Sequence, residues 1–146
     1  MNGTVLSLKQ ALKIAEGTLQ AALASGYAPS CVAVLDQGGH VLALLRDERA
    51  SLFRPQIAIA KASGCLGMGF GGREMAKRAQ AAPAFIAAIG QASGGRIIPV
   101  PGGVLIRNAA GAIIGSVGIS GDVSEQDEAC AVAGIEAAGL KADTGA

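Results

Sequence analysis

Residues 101–139, PGGVLIRNAAGAIIGSVGISGDVSEQDEACAVAGIEAAG, constrain the fold more than any other stretch of the chain. Branched apolar residues at 104–106 and 113–119 suit a pleated surface, and residues 108–111 supply turn chemistry between them. This pattern predicts a β-hairpin. After Ser120-Gly121 the period changes: Ala129, Val132, Ala133, Ala137 and Leu140 recur at intervals of three and four, as one face of an α-helix requires. Ser124 is placed to cap that helix, and with Asp127 three residues on it resembles a capping box. Glu125, Asp127 and Glu128 crowd the first turn, where the helix dipole favours negative charge, so capping alone accounts for acids here.

The preceding chain reads in the same terms. Leu8, Ala11, Leu12, Ala15, Leu19, Ala22 and Leu23 share a helical face over residues 7–25, with Ser7 as N-cap and Gly26 as stop. Two apolar runs, 31–35 and 41–45, flank Asp36-Gln37-Gly38-Gly39 and predict a first hairpin. His40, the sole histidine, sits where the turn enters the second strand; imidazole suits a metal ligand or a general base, and a solvated residue beside a turn is the plainer reading. Arg46 to Arg49 form a mixed-charge connector. A helix then begins near Ser51, with Pro55 tolerated in its first turn.

Lys61 fits that helix least well. Among Ile57, Ala58, Ile59, Ala60 and Ala62, an ammonium must either snorkel to solvent or meet an anion, for which Glu125 and Asp127 are the candidates. Residues 67–72, GMGFGG, formally satisfy G-x-G-x-x-G, but they follow a helical run rather than a strand, which excludes a dinucleotide fingerprint. An alanine-rich helical stretch, 73–91, breaks at Pro83. Pro99 and Pro101 forbid a regular ladder ahead of Gly102 and Gly103, whose missing side chains let a ligand or a partner subunit approach the backbone. Arg96 and Arg107 are the nearest cations.

The 146 residues suffice for a single domain, 1–146, burying about 70% of its unfolded surface. Twelve basic and eleven acidic residues are dispersed, leaving a net charge of +1 and neither a nucleic-acid footprint nor a basic membrane patch. No run reaches the ~18 apolar residues of a membrane span, and cytoplasmic is the expected location. With 51% apolar residues in a small chain, a homo-oligomer is expected. Cys31, Cys65 and Cys130 lack metal or dithiol spacing and read as small buried hydrophobes; no metal site is expected. The expected fold is an α/β (α+β) domain: one mainly antiparallel sheet of about four to five strands from two hairpins, covered by helices.

Taken together, PGGVLI (101–106), IIGSVGISGDVSEQDEACAVAG (113–134), VLDQGGHVLALLRD (34–47) and IAIAKA (57–62) resemble the GlcG/HbpS family, small haem-binding or haem-degrading-type domains that include the PduO C-terminal domain. The resemblance spans about residues 8–140. It implies a haem or related tetrapyrrole ligand, a pocket role for Lys61, and a pocket rim at Arg46 or Asp47. The axial ligands on offer are His40, Met68, Met75, Met1, Tyr27 and the cysteines, a thin set. Two other functions stand beside this binding module. One is an isomerase- or lyase-like enzyme at a subunit interface, with Lys61 as electrophile or proton donor and Glu125 or Asp127 as base. The other is an accessory subunit without chemistry. His40, Arg46, Asp47, Gly102 and Gly103 are the expected ligand-binding residues.

Overall fold

The computed structural model describes residues 3–146. Helix α1 (Leu8–Ala24) is followed by hairpin β1 (Cys31–Asp36) and β2 (Val41–Arg46), then helices α2 (Arg54–Met68), α3 (Gly72–Ala81) and α4 (Pro83–Ala92). Hairpin β3 (Gly103–Arg107) and β4 (Ile113–Ser120), helix α5 (Ser124–Ala137) and β5 (Lys141–Asp143) complete the order. The five strands form one antiparallel sheet ordered β2-β1-β4-β3-β5. The two hairpins join through β1 and β4, paired from Cys31↔Ser120 to Asp36↔Gly115. The result is the α+β fold expected, with β5 as a strand outside both hairpins.

Side-chain alternation divides the two faces of this sheet. Val32, Val34, Val104, Ile106, Val117 and Ile119 pack with α1 and α5 into the main core. Cys31 and Ala33 point the other way, against Ala58 of α2. On that second face small residues let the helix lie almost on the backbone: a side chain at Gly118 would run into the Ala58 carbonyl, and one at Gly103 would stand 2.6 Å from Cys65 Sγ.

Helix α2 and strand β4 run antiparallel in a simple register. Arg54 Nη1 donates to Ser120 Oγ at 3.0 Å, Ala58 meets Gly118, and Ser116 Oγ donates to the Ala62 carbonyl at 2.9 Å. Four helical residues rise about 6 Å and two strand residues about 6.6 Å, so the steps stay matched along the contact.

Local signals behave as read at most boundaries. Ser7 caps α1 in a full capping box with Gln10, Pro55 sits in the first turn of α2, and Gly69 ends α2 in the left-handed region at φ +82°. Three details differ. The buried face of α1 is Ala11, Ile14, Ala15, Thr18 and Ala22, leaving Leu8, Leu12 and Leu23 exposed. In α5 the buried face is Asp127, Glu128, Cys130, Ala131, Gly134 and Ile135, the side of the helix opposite the stripe read from its alanines, none of whose members is buried. Nor does Ser124 cap α5: it is the first helical residue after Val123, and Asp127 instead reaches back beyond the helix start.

Candidate functional site

In the α2–β4 register Lys61 sits level with the middle of β4, and its side chain reaches back towards the helix N-terminus to the end of the strand. Only 5% exposed, its Nζ donates to the Ile119 carbonyl at 3.0 Å and lies 3.5 Å from Asp127 Oδ2. Asp127, 1% exposed, also accepts the Gly121 N–H at 3.3 Å and the Asp122 N–H at 3.1 Å, so the β4–α5 loop folds around its carboxylate. Gly102, at φ +112°, must be glycine on two counts: L side chains rarely adopt that conformation, and a Cβ there would come within 2.9 Å of Lys61 Nζ. Gly102 and Gly103 thus admit the Lys61 side chain and the backbone of α2.

Burial presses the Lys61 pKa below its ordinary value, against the pull of Asp127, with nearby Arg54 adding to the depression. Burial pushes Asp127 the other way, above the usual carboxylate range, while the Asp122 N–H and Lys61 oppose it. The lysine's hold on its proton is weakened and the carboxylate's strengthened. Such a pair is chemically equipped for proton transfer.

The other sequence candidates lie apart from this pair. Glu125 is exposed in the first turn of α5, whereas its neighbour Glu128 is buried, with Oε1 accepting from Arg73 Nε at 2.8 Å and Oε2 without a partner. Asp47 is buried and clamped by Arg49, whose backbone N–H and Nε donate to Oδ1 at 2.9 and 3.1 Å and whose Nη2 donates to Oδ2 at 2.9 Å. These bonds hold the Asp47 pKa down at about 2. Arg46 is exposed and donates to the Asp47 carbonyl at 3.2 Å. His40 is exposed, with its ring beside Gly38 and its backbone N–H donating to Asp36 Oδ1 at 3.0 Å.

A groove of about 390 Å³ opens on the opposite flank of α2, between the β1–β2 turn at Gln37, Gly38 and Gly39 and the end of α4. Ile59, Leu66, Ile89 and Ile97 supply its apolar wall, Met68 a thioether and Arg96 a cation. The sequence expectations did not include this groove. The available signal was Ile59, Ser63 and Gly67 at intervals of four, an outward stripe of falling size. Of the other axial-ligand candidates, Met75 and all three cysteines are buried, and Met1 lies outside the described residues. Among the described residues, no three His, Cys, Asp or Glu side chains gather as a metal site.

Comparison with known proteins places this fold. The chain is similar to the PduOC chain in a crystal structure of its haem complex, with TM-score 0.83, 24% identity, and coverage of 93% of this chain and 96% of the other. It is also similar to protein ORFY of Klebsiella pneumoniae, with TM-score 0.82, 25% identity and coverage of 92% and 90%. For HbpS the TM-score is 0.78 and the identity 29%, over 93% and 92% of the two chains. No curated protein sequence matches it. The family model described as haem degrading protein HbpS-like matches residues 6–136, nearly the whole chain, and the protein belongs to that HbpS-like family.

Proposed function

We propose that this protein binds haem or a related tetrapyrrole in the groove beside α2. The groove itself carries the reading. Its volume of about 390 Å³ lies within the range of small-molecule sites, and its apolar wall with few polar groups suits a flat, amphipathic ligand. The residues present fit the group: Met68 lines the groove and His40 adjoins the turn at its mouth, both side-chain types that ligate haem iron. Arg96 is exposed at the groove, where a guanidinium can pair with a propionate. Family membership and the haem complex of a structural relative support the same ligand class. Bound there, haem would supply iron-centred chemistry, and this chain's residues would hold and shield it.

Haemin titration followed by the Soret band tests the reading. Saturable one-to-one binding that Arg96→Gln and either Met68→Leu or His40→Ala weaken is the expected result. Binding that never saturates, or that none of the three substitutions alters, would count against the groove.

The buried Lys61–Asp127 pair favours a second reading, an isomerase- or lyase-like enzyme that moves a proton beside a carbonyl. Asp127→Asn should then abolish turnover of small carbonyl substrates in a folded protein; full turnover would remove Asp127 from the chemistry. We also propose assembly as a homo-oligomer, supported by exposed Leu8, Leu12 and Leu23 along α1. A cytoplasmic location suits the three unpaired, buried thiols. No helix among the described residues is long and apolar enough to cross a membrane.

A further inference from the structure

We propose that Arg54 and Ser120, above the buried Lys61, form an anion site that takes the carboxylate of a small organic acid. The site lies at the N-terminal end of α2, two helical turns from Lys61 and on the same stripe, so both cations face the end of β4. Arg54 Nη1 donates to Ser120 Oγ at 3.0 Å and its Nε to Ser51 Oγ at 3.1 Å. Those hydroxyls are its hydrogen-bond partners, and among the described residues no carboxylate pairs with it. Three guanidinium N–H groups remain to be satisfied.

Between this stripe of α2 and the carboxylate that meets it, one positive charge is left over. Arg54 and Lys61 contribute two, and Asp127 offsets one through its 3.5 Å contact with Lys61. Asp122, in the β4–α5 loop, is committed elsewhere: Oδ2 accepts the Ala28 N–H at 2.7 Å and Oδ1 the Val123 N–H at 2.8 Å. Arg54 is half-buried and Ser120 fully buried, so the surplus charge is only partly answered by solvent. A monoanion with a planar fork of oxygens matches the guanidinium. The body of the ligand follows from the neighbours. Leu52 and Phe53, 80% and 67% exposed, immediately precede Arg54 and would meet an apolar tail.

This site is separate from the groove, whose wall begins at Ile59 on the other flank of α2. It rests on the Lys61–Asp127 reading only in giving that pair a substrate class, and binding alone tests it, so its failure is distinct from a failure of turnover.

The probe is butyrate, with butylamine as the cationic counterpart, read by thermal unfolding and by the backbone amide resonances of Ser120 and Gly121. Butyrate should raise Tm saturably and shift both amides, whereas butylamine should do neither. Arg54→Gln should weaken butyrate at least tenfold, Arg54→Lys should retain part of the binding, and Arg78→Gln, at an exposed arginine on α3, should bind as the parent does. Circular dichroism of each variant without ligand establishes that it is folded. No saturable response in the parent, or an equal response in Arg54→Gln, would overturn the site. Haemin titrated against saturating butyrate separates a free acid from a porphyrin propionate. Undiminished haemin binding is expected, and competition would overturn the small-acid assignment.

Discussion

Lys61 is held in place by three neighbours that each remove an alternative: the Ile119 carbonyl accepts a hydrogen bond from Nζ, Asp127 supplies counter-charge, and Gly102 leaves room for the tip. Breaking a buried pair from one side leaves an uncompensated charge, so Asp127→Ala should cost about 3–5 kcal/mol in urea unfolding. An effect under about 1 kcal/mol would show that water reaches Lys61 freely. Asp47 makes a different prediction, in pH. Its carboxyl titrates at about 2 in the folded protein against 3.8 ordinarily, so its stabilising contribution is complete above 3.8 and is lost as pH falls towards 2. Asp47→Asn should flatten that part of the acid unfolding curve. The cysteines follow mainly from burial, which pushes Cys31 up to about 11 against the pull of Arg46 and, with Asp143 adding to it, Cys65 up to about 12. Neither thiol should react with iodoacetamide in native protein at neutral pH, and both should react after unfolding.

At the scale of elements, the close seating of α2 on β4 is the contact on which both candidate sites depend. Gly118→Ala should destabilise by at least about 1–3 kcal/mol, because the new methyl meets the Ala58 carbonyl and neither backbone can retreat. Gly67→Ala is the control: nothing lies within 4 Å of the added carbon, and removing a helical glycine should raise stability by about 0.5–1 kcal/mol. Urea midpoints decide both. Much of this architecture was legible in the chain. Ser7, Pro55, Pro83 and the hairpin turns mark boundaries through local backbone chemistry, which one sequence displays directly. The phase of α5 was not legible, because alanines cover several faces and the true buried stripe contains two acids, Asp127 and Glu128. Their burial is decided by Lys61 and Arg73, brought from distant helices. Strand β5 escaped for a related reason: Lys-Ala-Asp has no strand signature and pairs because β3 offers an edge, with Arg107 Nε 2.8 Å from Asp143 Oδ2.

For the molecule as a whole, the two flanks of α2 divide the work. One faces the sheet and holds the Lys61–Asp127 pair; the other opens into the groove assigned to the tetrapyrrole. Exposed apolar side chains at Leu8, Leu12 and Leu23 of α1 lie outside both, and replacing the three with serine should lower the mass found by light scattering if they join copies of the chain. An unchanged mass would place the interface elsewhere. The most direct test of the account is where haem sits, and ferric iron reports this by broadening nearby amide resonances, with zinc protoporphyrin as the diamagnetic reference. The account predicts that haemin broadens Gly38, Gly39 and Gly67 while Gly102 and Gly121 stay sharp. Broadening centred on Gly102 and Gly121, with the groove glycines unaffected, would contradict it.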